Sequence, residues 1–287
     1  MHRPSRRFDR PFSVAAALVA LGVAGLLVAP SMPRLVADTV GESSDPAVSD
    51  DTVRGDSTQP VVLELFTSQG CSSCPPADRL LSELAPRADV IALAFHVDYW
   101  NRLGWRDPFS DAAWSDRQRA YARRLDSNVY TPQLVVDGRA HAVGSDRDGV
   151  LGLIERAARR PRLVDVELAL RPAAGAVEVT VTAAVDDAAP RPLMLLGALI
   201  EDGRVTEVAR GENRGRTLRD DRVVRSLETL ARLDAPGVTT RRWRLAASTL
   251  ETLAEGAGTR RVAVVAQHVD DLVIHGADAA ELPVLTH

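Results

Sequence analysis

Val61-Val62-Leu63-Glu64-Leu65-Phe66-Thr67-Ser68-Gln69-Gly70-Cys71-Ser72-Ser73-Cys74-Pro75-Pro76 carries an apolar run straight into the only two cysteines of the 287-residue chain. The run predicts a strand over Val61–Phe66. The prolines predict a helix start, because missing amide donors cost little in a first helical turn. Two thiols at a strand-to-helix handover have the layout of a thiol–disulfide redox site. A structural staple is the weaker reading: closing so short a loop contributes about 2 kcal/mol of chain entropy, less than half of what a roughly hundred-residue loop gives. Cys71, at the helix start, faces unpaired amide donors and the positive end of the helix dipole, so it is the predicted attacking nucleophile. Cys74, one turn deeper, is the predicted resolving thiol.

Working outward, Val61 to Arg160 alternates strand-like and helix-like runs, as a sheet with βαβ units does. Ala77, Leu80, Leu81 and Leu84 recur at helical spacing and stop at Pro86. Val90–Phe95 is continuously apolar, as a central parallel strand is. Asp111–Leu125 predicts a second helix. Tyr130–Gly138 predicts a strand entered through Pro132, and Ser145 predicts the cap of a last helix. Parallel strands end on one edge of a sheet, so the cysteines and His96-Val97-Asp98-Tyr99-Trp100 are expected to be neighbours. Beyond Pro161 short alternating runs dominate, apart from a helix-period stretch at Val223–Leu233, and predict a mostly antiparallel β domain.

Thr131-Pro132 is the second informative element. A proline entering a strand gives up a ladder amide; it fits either a cis bond that leaves the preceding backbone free for a substrate segment, or a trans bond at a sheet edge. With the CxxC at the end of the first strand, this looks like the thioredoxin fold, in which a cis-proline stands beside the first cysteine. More closely, Glu64–Asp78, His96–Trp100, Gly104-Trp105, Asp107-Pro108-Phe109, Tyr130-Thr131-Pro132-Gln133 and Gly211-Glu212-Asn213-Arg214-Gly215-Arg216-Thr217-Leu218 together resemble a family of exported bacterial thioredoxin-like proteins catalogued as domain of unknown function 1223. The resemblance implies a redox role without a known substrate. The expected architecture is an α/β thioredoxin-like domain over residues 60–160, followed by a mostly antiparallel β-sandwich domain over residues 161–287.

The candidate catalytic residues are Cys71, Cys74, Pro132, Glu64 and His96. Thioredoxin-like enzymes often bury an acid six residues before the first cysteine; Glu64 stands seven before Cys71, and one residue of shift turns a side chain to the other sheet face unless a bulge restores register. Two roles stay open for it: proton acceptor for Cys74, or a structural carboxylate paired with an arginine. His96 either polarises Cys71 or moves a proton, or else orders the loop through Asp98 or Tyr99. Trp100, Trp105, Phe109 and Trp114 form either a rim for a client peptide or ordinary packing.

Composition narrows the function class. Arginine and lysine total 35 against 39 acids, a formal charge of −4, and every basic side chain is arginine. The arginines are scattered and the pI is about 5.9, which argues against a nucleic-acid face. No metal is assigned, since tetrahedral zinc wants two more ligands and no other cysteine exists. No cofactor is assigned either: Gly211–Thr217 resembles a phosphate loop but lacks lysine and is one residue short, so it reads as a structured loop reaching back over the redox domain. Residues 1–37, with early arginines and then the uncharged run Ser13–Ala29, read as a signal peptide or N-terminal anchor, and residues 38–59 as a flexible linker. The chain is therefore expected in the periplasm or secreted, touching a membrane only through an uncleaved anchor, with protein or small-molecule thiols and disulfides as substrates. The rival reading is a non-catalytic binding protein that holds copper(I) between the two thiolates.

Overall fold

A computed structural model describes residues 60–252 and 258–283, so the expected signal segment and linker lie outside the described residues. In chain order the elements are β1 (Val61–Thr67), α1 (Pro75–Leu84), β2 (Val90–His96), a 3-10 turn (Asn101–Leu103), α2 (Ala112–Arg124), β3 (Gln133–Val136), β4 (Ala140–Val143), α3 (Arg147–Ala158), β5 (Val164–Ala173), β6 (Ala176–Val185), β7 (Leu193–Glu201), β8 (Arg204–Glu207), β9 (Thr217–Asp220), β10 (Val223–Leu233), β11 (Gly237–Ala246), α4 (Ala247–Thr252), β12 (Arg260–His268) and β13 (Ile274–Glu281).

Eight strands form one mixed sheet in the order β13-β12-β7-β10-β2-β1-β3-β4. This corrects the expected fold class. The chain is not a thioredoxin-like α/β domain followed by a β-sandwich: strands dominate it, and strands from the second half extend the sheet begun in the first. The join is β10 lying parallel to β2, Val223 opposite Ala94, with the Ala94 amide donating to the Arg222 carbonyl at 2.8 Å. Local pattern carries no information about which remote strand completes a ladder. It did mark β2 as central, and all seven of its residues are buried.

The first strands place the site. β1 and β2 run parallel in register from Val61 opposite Val90 to Thr67 opposite His96, so both end on one edge of the sheet. Alternation along β1 sends Val61, Leu63 and Leu65 to the face covered by α1 and α3, where Leu80, Leu81, Val150 and Ile154 are buried. Val62 and Phe66 point to the other face, against Trp114 and Tyr121 of α2. A third core fills the space between a separate three-stranded sheet, β11-β6-β5, and the β7–β12 part of the large sheet.

Val223–Leu233 is a strand, not a helix. Register shifts between Val224 and Ser226 and between Thr229 and Ala231 break its period of two, so the buried positions Val223, Val224, Ala231 and Leu233 imitate helical spacing. Among the described residues no helix is long and apolar enough to cross a membrane.

Candidate active site

β1 delivers the chain through Ser68-Gln69-Gly70 to the two cysteines, which are joined as a disulfide with Cα atoms 5.4 Å apart. A turn closes over them, the Cys74 amide donating to the Cys71 carbonyl at 3.2 Å, and α1 follows with Pro75 and Pro76 in its first turn. Neither cysteine is exposed at all (0% each), whereas Ser72 and Ser73 between them are. The Thr131–Pro132 bond is cis. Thr131 Oγ1 donates to Cys71 Sγ at 3.3 Å, and the Ser73 hydroxyl stands 3.3 Å from the same sulfur. Thr131 is itself held by the Trp100 indole, whose Nε1 donates to its Oγ1 at 2.8 Å. Cys71, Cys74 and the buried Pro132 are therefore gathered in one place.

His96, at the end of β2, shares the face of its register partner Thr67 and is 1% exposed. Its Nδ1 lies 2.8 Å from Asp107 Oδ2, which also accepts the Gln69 amide at 2.8 Å; neither Asp98 nor Tyr99 is its partner. Nε2 is buried without a hydrogen-bond partner. Glu64 is not brought to the sulfurs. It points to the α2 face, away from α1, where Arg117 Nε donates to it at 2.7 Å and the Tyr121 hydroxyl donates to its other oxygen. The aromatic residues divide. Phe109 and Trp114 are buried packing, while the half-buried Trp100 and Trp105 hydrogen-bond to Thr131 and Gln69.

The model of a family described as protein of unknown function, DUF1223, matches residues 62–267. The chain belongs to the DUF1223 family. A crystal structure of a protein from Agrobacterium tumefaciens, determined by a structural genomics consortium, is 30% identical, covers 79% of this chain and 97% of its own, and aligns with a TM-score of 0.62. HBP35 of Porphyromonas gingivalis shares the fold at 16% identity, with a TM-score of 0.55 over 78% of this chain and 75% of its own. No curated protein matches the chain.

In this DUF1223 protein the space beneath the disulfide holds more acid than the sequence reading found. Asp78, on α1, accepts from the Thr67 hydroxyl at 2.6 Å, and Asp220, at the end of β9, accepts from Gln69 Nε2 at 2.7 Å. Withdrawal from water, reinforced by Asp220, pushes the Asp78 carboxyl up to about 7. Burial likewise raises Asp220, against the pull of His96. Burial alone lowers a histidine, but the Asp107 carboxylate outweighs it, with Asp220 and Asp78 adding, and His96 rises to about 9. For Asp107 burial pushes upward and His96 wins, leaving it below the ordinary range. Among the described residues no group of three or more His, Cys, Asp or Glu side chains is arranged to hold a metal ion.

The glycine-rich stretch also finds its place. β8 and β9 form a hairpin whose tip, residues 208–216, reaches the CxxC loop. Asn213 Nδ2 donates to the carbonyls of Gln69 and Cys71, each at 2.9 Å, and the Glu212 carboxylate accepts from the Ser72 amide at 3.0 Å and its hydroxyl at 2.7 Å. Asp78, Asp107, Thr131, Glu212 and Asn213 all stood inside the motifs that carried the family resemblance. Their roles were hidden because each acts on a partner 11 to 144 residues away in sequence.

Proposed function

We propose that this DUF1223 protein exchanges its Cys71–Cys74 disulfide with thiols of protein or small-molecule substrates in an oxidising compartment outside the cytoplasm. The observation that carries the reading is the Thr131 hydroxyl, aimed at Cys71 Sγ from 3.3 Å beside the cis-Pro132 peptide. A donor at that distance stabilises the thiolate that forms or attacks there, since hydrogen bonds to charged groups are the strong ones. A substrate thiolate attacks Cys71 Sγ; a new S–S bond forms, the Cys71–Cys74 bond breaks, and its electron pair leaves on Cys74. Asp78 lies one helical turn beyond Cys74, its amide donating to the Cys74 carbonyl at 3.1 Å, and side chains so spaced have Cβ atoms about 6 Å apart. With its pKa near 7 it supplies the proton that the departing Cys74 takes and accepts it back on reversal. Pro132 shapes the wall along which the substrate backbone lies. His96 with Asp107 sets the charge of the Asp78–Asp220 pair, and Glu64 serves the fold. The oxidised CxxC fits a compartment where thiols are not kept reduced, as does the basic and then apolar N-terminal sequence.

Two variants test the reading. In Cys74→Ala the lone Cys71 thiolate should attack a protein disulfide substrate, one substrate sulfur leaving as thiolate, and trap a mixed disulfide visible on non-reducing gels and reversed by reductant. Cys71→Ala should abolish exchange; unchanged turnover in that variant overturns the proposal.

A further inference from the structure

Resting on the exchange reading, we propose that the β8–β9 hairpin is a latched strap that selects substrates by size, with Glu212 and Asn213 as the latch. A small dithiol needs only a partial lift of the strap, whereas protein thiols are held back until it opens fully. The first ground is access. In-line attack needs a thiolate within about 3.5 Å of Cys71 Sγ, yet both cysteines are fully buried, so part of their cover has to move.

The second ground is which cover is free to move. On one side stand Thr131 and Pro132, which lead directly into β3 inside the eight-stranded sheet and are tied further by Trp100 and by the Gly144 amide on the Pro132 carbonyl at 2.9 Å. On the other stands the hairpin, a two-stranded sheet of its own with four residue pairs. A lone two-stranded ribbon is marginal in water, so its position depends on what pins it. The pins are polar. Asn213, fully buried, holds the Gln69 and Cys71 carbonyls while Arg216 Nη1 donates to its Oδ1 at 2.8 Å and fixes the amide's orientation. Glu212 holds Ser72, and Asp220 at the foot holds Gln69 Nε2. The Asn213 bonds are neutral and the charge-assisted Glu212 bonds lie at the exposed surface, so both exchange with water at small net cost, which suits a closure that opens repeatedly. Three of the four latch bonds made by Glu212 and Asn213 end on Cys71 or Ser72, inside the loop that rearranges when the disulfide breaks, so lifting the strap and opening the S–S bond are coupled.

The test compares reduction rates of the wild-type disulfide by dithiothreitol and by reduced, unfolded ribonuclease A with those of Asn213→Ala, Glu212→Gln and Ser72→Ala. The two milder variants serve in case Asn213→Ala does not fold. The rate with the protein thiol is expected to rise about ten-fold, the equivalent of about 1.4 kcal/mol, while the dithiothreitol rate stays within about two-fold. Equal rises overturn size selection, and equal falls mean that the latch positions the sulfurs instead of covering them. Amide hydrogen exchange gives an independent readout: the Gly215 amide, bonded to the Val208 carbonyl, should exchange far faster than β1 and β2 and faster still in the variants. Core-like protection there refutes the strap. A wild-type disulfide inert to both thiols refutes the exchange reading itself, and the strap with it.

Discussion

Replacing Arg117 by Met should destabilise the protein more than any other single change on the α2 face. Glu64 is 1% exposed and its charge is answered by Arg117 Nε at 2.7 Å and by the Tyr121 hydroxyl. Arg117 also donates to Gln267 Oε1 at 3.1 Å and lies over the Phe95 and Tyr121 rings, its Cζ 5.5 and 5.2 Å from their centroids. One guanidinium thus ties β1, α2 and β12 together. Its removal leaves a carboxylate in an apolar layer, and breaking a buried pair on one side costs about 3–5 kcal/mol. At about 2–4 °C per kcal/mol for a chain of this size, Tm should fall by roughly 6–20 °C. Glu64→Gln removes the charge and keeps the shape, so adding it to Arg117→Met should recover about 1–2 kcal/mol relative to the sum of the single effects. Urea unfolding of wild type, both single variants and the double variant measures that coupling. The reasoning fails if Arg117→Met costs less than about 1 kcal/mol or if the single effects add. The same variants separate the two roles that the sequence left open for Glu64. Glu64→Gln should leave thiol exchange within about two-fold, and a loss of about a hundred-fold at unchanged stability would restore the proton-relay role.

Thermal stability should fall as pH rises from 6.5 to 9. His96 is raised from 6.5 to about 9, so its contribution is complete below 6.5 and is lost as pH climbs through 9; scanning calorimetry should show the decline in wild type and a flatter profile in His96→Gln. Asp78, raised from 3.8 to about 7, adds to the loss up to neutrality, while His275, lowered to about 4, acts in the opposite sense only between 4 and 6.5. Thr131→Val removes the donor to Cys71 Sγ and should slow exchange about ten-fold, in line with about 1.5–3 kcal/mol for a hydrogen bond to a charged group. The pH profile of Cys71 alkylation in the reduced protein should move upward, Thr131→Ser should restore most of both effects, and an unmoved profile in Thr131→Val would show that the hydroxyl does not act on the sulfur.

What was legible in the sequence is what short-range periodicity and proline chemistry encode. The stripe Ala77, Leu80, Leu81, Leu84 is the buried face of α1, and the apolar runs at 61 and 90 are β1 and β2. The helix after β4, α3, was expected there but with its cap one residue early: Asp146, not Ser145, accepts from the Gly149 amide. Long-range pairing was not legible. The runs of β7 and β12 read as short sandwich strands and β10 as a helix, and nothing local announces that β10 is a strand sitting beside β2. Glu64 shows the same limit in reverse. Its one-residue offset from the usual spacing before Cys71 left two roles open, but Arg117 lies 53 residues away and only the folded chain names it as the partner.

The second half of the chain therefore belongs to the site. Asp220 and the Glu212–Asn213 latch come from it, and Val223 covers the edge of β2 whose far end carries His96. Without β10, β2 would be an exposed edge strand of seven buried-type residues, Val90 to His96, an arrangement that natural sheets avoid because it templates pairing with other chains. The acid cluster depends on the same closure. Asp78 and Asp220 hold raised pKa values because burial withdraws water from them, and Asp220 stands at the end of β9 in the hairpin itself. If the proposed strap lifts, water would reach this pair and lower both pKa values, so that in the proposed exchange Asp78 would release its proton as a substrate thiolate reaches Cys71 and Cys74 needs one. Under that proposal, opening of the cover and delivery of the proton would be one event, a physical reason for building a cysteine pair of the first half and a hairpin of the second into one unit.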